Sequence, residues 1–306
     1  MSQPSMSPPV MPPPPKALEA PWPTVSHVAD RVAAGVAWTV ALGVAAVLLW
    51  IVWGLLRGAT DGEWGGWEWW EWIAQKPQKL GVQGGIGPVL VSTMMILAVC
   101  LGAALPLGLG TAVLLTETGA TRGDARLARL VRRSLDVLAG VPSIVFGLFG
   151  SVLFCEVMGM GFSIKAGGLT LACMVLPIFI RAAEEGLRAV PETWRHGAAA
   201  LGLSRAATLR RVVLPAALPG LMVGLVLGMG RALAETAALL FTAGTVLRMP
   251  GSLNDSGRAL SVHIYELSMF VNGGEPAAYR SAMVLVGILL VINMLAAGVG
   301  RLGVRV

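Results

Sequence analysis

Charge is scarce in this chain. Lys, Arg, Asp and Glu make up 13% of its 306 residues, against 55% hydrophobic residues and a mean hydropathy of +0.73, which excludes an ordinary soluble domain, where about a quarter of residues are charged. Alternation of apolar and polar residues over strand-length segments is missing too, so an outer-membrane barrel is excluded and helices are left as the spanning element. Histidine is confined to His27, His196 and His263, read as lying outside the lipid core, with His263 in a loop. No H-E-x-x-H, no serine nucleophile motif and no pair of aspartates at helical spacing occurs in an apolar run, which argues against a membrane-embedded enzyme. No Walker A loop is present either, so any ATP hydrolysis belongs to another chain. Cys100, Cys155 and Cys173 lack C-x-x-C spacing and read as small packing residues; no metal site is expected.

What is there is apolar length. A hydrocarbon core of about 30 Å needs roughly 20 apolar residues per helix, and six runs supply it, at about 31–56, 88–116, 135–158, 167–187, 213–243 and 281–300. The fifth is over-long, which puts its first turns outside the lipid. The sequence thus predicts an all-α integral membrane protein with six transmembrane helices. It divides into a disordered Pro-rich tail (1–28), a first helix with a Trp-rich outer loop (29–87), a main helical body (88–300) and a short C-terminus (301–306).

Lys and Arg set the orientation, because basic residues near helix ends resist translocation. The loop at 117–134 holds Arg122, Arg126, Arg129, Arg132 and Arg133, and that at 188–211 holds Arg188, Arg195, Arg205, Arg210 and Arg211. With Lys16, Arg31, Arg301 and Arg305, one side holds 14 basic residues and the other seven. Both termini are therefore expected in the cytoplasm, and the net charge of +6 needs no nucleic acid to explain it. On the outer side Trp67, Trp69, Trp70 and Trp72 read as an anchor at headgroup depth, in preference to an aromatic ligand cage.

Within the second basic loop, Gly202 can end one short helix in the left-handed conformation and Ser204 can cap the next. Trp194, Ala198 and Leu201, spaced i, i+4, i+7, give the first piece a small apolar face. Physics alone leaves two occupants open for that face, lipid headgroups or a partner protein. Three charges in apolar runs stand out as well. Arg231 and Glu235 lie four apart in "GMGRALAETAALLFTAG", placed by that spacing on one helix face, and Arg181 lies in the fourth run. An arginine at bilayer centre costs about 2.5 to 3.5 kcal/mol on insertion scales. Either Arg231 and Glu235 form a self-contained pair, in the weaker Arg-before-Glu order, or the arginines line a solvated path. Asp136 reads as a local N-terminal partner of Arg132 and Arg133.

The loop resembles the cytoplasmic signature of ABC importer permeases, which runs E-A-A, three residues, Gly, nine residues, a branched apolar residue, one residue, Leu-Pro. Here Gly202 is followed after nine residues by "VVLP", ending at Pro215, and His196, Gly197 and Ala198 stand at the E-A-A positions, with His and Gly departing from the pattern. "LPLGLGTAVLLTE" (105–117), "LDVLAGVPSIVFGLFG" (135–150), "LPIFIRAAEEGLRAVPETW" (176–194) and the Arg231 stretch resemble the A-type permease of phosphate importers, PstA. Ala234 replaces a usual Gly there and Ala238 a usual Pro. The resemblance covers about 88–300.

It implies a type I importer fold (MetI-like) whose loop 188–215 is the coupling element seated on an ATPase, with Trp194, His196, Gly197, Ala198, Leu201, Gly202 and Pro215 at that contact. It also implies a heterodimer with a homologous C-type permease, two ATPase subunits carrying ATP and Mg2+, and an extracytoplasmic phosphate-binding protein, with no cofactor on this chain. The setting is the cytoplasmic (inner) membrane of a prokaryote. Arg181 and Arg231 are expected to line the path for an oxyanion, since a guanidinium binds phosphate with two parallel hydrogen bonds. Glu235 is expected to hold Arg231 and weaken binding enough for release. Another oxyanion cargo, sulfate or molybdate, and a non-transporting sensor or scaffold are the competing expectations.

Overall fold

The computed structural model describes residues 27–60, 68–117 and 124–303. The tail up to residue 26 with Lys16, and Trp67, Arg122 and Arg305, lie outside them. By contacts the chain divides after Val52. The first helix, α1 (His27–Thr60), contains an apolar span at Asp30–Gly58 with mean hydropathy 2.4. Beyond it come a short α2 (Glu68–Ala74), a hairpin of β1 (Pro77–Gln78) and β2 (Gln83–Gly84), and a helical body.

That body is organised around α6 (Ile164–Arg188), which packs against α3 (Gly87–Glu117) on one side and α9 (Leu214–Leu233) on the other. Ser163 starts α6 as its N-cap, its hydroxyl accepting the Ala166 amide at 3.2 Å. Association of apolar helices in lipid relies on close packing, since tails are as apolar as leucine. The α6–α9 crossing supplies it at Gly186 and Gly220, where a Cβ on Gly220 would stand 2.6 Å from the Gly186 Cα. Cys100, Leu171, Phe179, Leu233 and Val262 fill the central core. Two further helices, α11 (Leu260–Met269) and α12 (Glu275–Gly303), pack on each other, and α12 lies on α9. The first amide of α11 is capped from far away, by the buried hydroxyl of Thr93 at 2.9 Å.

Among the described residues, five helices are long and apolar enough to span a membrane, and a bent pair makes a sixth crossing if it counts as one. Two of the six expected runs therefore differ from straight helices. The run at 135–158 is the junction of α4 (Asp124–Ala139) and α5 (Ser143–Gly150), which meet at 103°. Gly140 and Pro142 explain the bend: proline lacks an amide for the continuing helix and disfavours helical geometry in the residue before it. A π-helical turn, Ser151–Val157, continues α5. The run at 213–243 breaks after Leu233 and resumes as α10 (Ala237–Leu240). Trp72, one of the residues expected at headgroup depth, is half-buried against Ile86, Val89 and Leu260, with the Arg280 guanidinium 6.0 Å from its ring centre.

Candidate translocation site

Arg231 stands in the last turn of α9, and Glu235 falls beyond the helix end, in the break before α10. The two are thus not on one continuous helix face as their spacing predicts. The carboxylate earns its place locally: it accepts the Ala238 amide at 3.3 Å, satisfying a donor at the start of α10, while the Glu235 carbonyl accepts the Ser261 hydroxyl at 2.5 Å. Arg231 Nη2 is left 4.0 Å from Glu235 Oε2, a loose ion pair, and 4.0 Å from Met174 Sδ on α6. Its side chain is 48% exposed while that of Glu235 is 7% exposed. The cation faces open space and its partner is anchored behind it.

Arg181, on α6, is 45% exposed and ion-paired with Asp136. Asp136 lies in the last turn of α4, not its first, and its partner is Arg181 from another helix, not Arg132 or Arg133. A carboxylate in a last turn opposes the helix dipole, so the attraction of Arg181 is what favours it there. Arg132 turns the other way, with Nε donating to the buried Glu184 at 2.9 Å and Nη2 to the Leu115 carbonyl at 3.0 Å. Arg188 takes the same Glu184 at 2.6 Å.

The loop between α6 and α9 is built as two short helices, α7 (Glu192–Ala200) and α8 (Arg205–Thr208), leading through a π-helical turn, Leu209–Val213, to Pro215 in the first turn of α9. Gly202, at φ +76°, ends α7 with paired bonds, its own amide to Ala199 and that of Leu203 to Ala198. Ser204 caps α8 through the Ala207 amide at 3.3 Å. Trp194 and Leu201 are exposed, but Ala198 between them is buried, and Leu201 has already left the helix. The apolar face is therefore two separated knobs, because α7 turns Ala198 inward. His196 is exposed and sits 3.8 Å from Glu192, one turn earlier; Gly197 has open space where a side chain would be. Arg195 ties α7 to the body through an ion pair with Glu117 at the end of α3 and a 3.1 Å bond to the Leu187 carbonyl.

One charged cluster escaped the sequence reading. His263, expected in a loop, is fully buried on α11, 3.5 Å from Arg258 Nη1. Arg258 in turn holds Glu266 at 2.5 Å and the Thr245 carbonyl at 2.8 Å. Burial first, and Arg258 second, pulls the imidazole down to about 4. The i, i+3 spacing of His263 and Glu266 was visible, but the return of Arg258 onto them depends on how the segment before α11 folds.

Comparison with known proteins places this arrangement. Residues 104–302 match the family model "Binding-protein-dependent transport system inner membrane component". A "Probable ABC transporter permease protein YqgI" of Bacillus subtilis (strain 168) is 32% identical over 245 residues, covering 75% of this chain and 82% of that protein. The "Phosphate transport system permease protein PstA 1" of Mycobacterium tuberculosis (strain ATCC 25618 / H37Rv) is 36% identical over 216 residues, covering 70% of this chain and 69% of its own length. Among solved structures, the inward-facing MetNI methionine ABC transporter superposes with a TM-score of 0.56 at 19% identity, over 71% of this chain and 96% of that one. The α3–α6–α9 body is thus a MetI-like permease fold, and the chain belongs to the binding-protein-dependent inner-membrane permeases, within them to the PstA type.

Proposed function

We propose that this chain forms one half of the pathway of an ATP-driven importer that moves inorganic phosphate across the cytoplasmic (inner) membrane of a prokaryote by alternating access. The other half is a homologous C-type permease. Two ATPase subunits bind the α7–α8 loops and supply ATP and Mg2+, and an extracytoplasmic binding protein delivers the ion. Both termini and the α7–α8 loops face the cytoplasm on this reading.

The observation that carries it is the half-exposed state of Arg181 and Arg231 on two helices that pack against each other. A guanidinium in an apolar bundle is costly unless something of opposite charge compensates it. These two have carboxylate partners yet keep open donor surface, which suits an oxyanion taken up by paired hydrogen bonds. The likeness to PstA permeases supports phosphate as that anion. Trp194 and Leu201, with Glu192 and His196 beside them, offer the ATPase two apolar knobs flanked by charge.

The test is uptake by the complete transporter in proteoliposomes, with ATP inside and binding protein outside, challenged by other anions. Unlabelled phosphate should compete with labelled phosphate while sulfate and molybdate do not. Uptake of sulfate or molybdate instead would assign a different cargo, and ATP-independent, uptake-free behaviour would make the chain a sensor or scaffold.

A further inference from the structure

Three arginines are arrayed along one side of α6. Seven residues bring a helix back to within about 20° of the same direction and advance it by ~10 Å. Met174, Arg181 and Arg188 stand at such steps. The first step is occupied from α9, by Arg231 against Met174 Sδ at 4.0 Å. Each rung has a carboxylate: Glu235 for Arg231, Asp136 for Arg181 and Glu184 for Arg188.

The three carboxylates are not held alike. Glu235 is buried and anchored by the Ala238 amide. Glu184 is buried and clamped between Arg132 and Arg188. Asp136 is 63% exposed, and among the described residues Arg181 is its one partner. It is therefore the one carboxylate of the ladder that can leave its arginine without abandoning a buried charge or an unsatisfied donor.

We propose that Asp136 is the exchangeable counter-ion of Arg181 in the conduction path, displaced by each oxyanion that arrives and expelling it on return. The inference rests on the oxyanion reading above. Carboxylate and phosphate use the same donor geometry on a guanidinium, so they compete for it. With Asp136 in place, an anion at Arg181 is bound more weakly and leaves sooner, as conduction through a charged site requires. The released ion finds Arg188 one step further along the same side.

The experiment is phosphate uptake by the complete transporter with Asp136→Asn, against wild type and Asp136→Glu. Removing one competing charge-assisted hydrogen bond should lower the KM for phosphate by about tenfold and lower the maximal rate comparably, with the amount of assembled complex unchanged. Asp136→Glu should restore both. An unchanged KM in Asp136→Asn, whether or not the rate or the yield of complex falls, makes Asp136 a brace between α4 and α6 and overturns the proposal while leaving phosphate transport standing. Absence of ATP-driven uptake in wild type overturns the oxyanion reading and this inference with it.

Discussion

Arg231 and Arg258 are both arginines with a glutamate within eight residues, and the protein treats them in opposite ways. Arg258 is 8% exposed, 2.5 Å from Glu266, with a backbone carbonyl completing its shell. Arg231 is 48% exposed and 4.0 Å from Glu235, whose own hydrogen bond goes to a backbone amide. The first pair is closed, and its charges answer one another. The second is open on the cationic side, with the carboxylate spent on ending a helix break. A sealed ion pair contributes to architecture because breaking it strands a charge, whereas an open guanidinium retains donors for something that comes and goes. Arg181, 45% exposed beside Asp136, belongs with Arg231.

Substitutions on the two sides of this contrast should fail differently. The largest effect is expected from Arg231→Glu or Arg181→Gln: uptake is abolished, while the yield of assembled transporter and its thermal midpoint stay near wild type. Normal uptake by both variants would remove the distinction between open and closed arginines. Arg258→Met should do the reverse, leaving Glu266 without its cation and costing about 3 to 5 kcal/mol, read as loss of folded protein on size-exclusion in detergent. A folded, inactive Arg258→Met would move that arginine into the transport group.

The smallest expected effect sharpens the closed side by pH. The ordinary imidazole value is 6.5 and burial holds His263 at about 4 in the folded chain. Between these values the unfolded chain binds a proton that the folded one refuses. Stability from this group is thus complete above about pH 6.5 and falls as the pH drops through the window towards 4, by ~3 kcal/mol in total. Thermal midpoints measured across that window should show the decline in wild type and a shallower one in His263→Asn; parallel slopes would assign the pH dependence elsewhere.

Much of the fold is legible because its signals are local. Run length announces the spans, and Gly202 and Ser204 punctuate the loop through bonds reaching only three to five residues. Run length did not convey that one expected span is broken: Gly140 and Pro142 turn it into a bend of 103°. The break at Ala234 to Thr236 contains no proline or glycine. Its Glu235 carbonyl is met by Ser261, 26 residues on, a partner no local pattern indicates. The same holds for Asp136, whose cation lies 45 residues away. Arg181 and Arg231 themselves stood out from the sequence, because charge in an apolar run is conspicuous whatever the fold. Arg258 and His263 did not, since their burial arises only when the chain between α10 and α11 folds back.

The bare contact of Gly186 with Gly220 has a mechanical consequence. With no side chains interlocked at that point, the crossing can serve as the fulcrum between the two rods, like the rivet of a pair of scissors, while further along Gly224 leaves room for Ala182 and Gly228 for Val175. Met174 lies twelve residues up α6 from the rivet, about 18 Å at 1.5 Å per residue. A swing of about 10° there sweeps the tip through ~3 Å, roughly the length of one hydrogen bond. A shift of that size at the level of Arg231 is enough to trade one set of bonds for another.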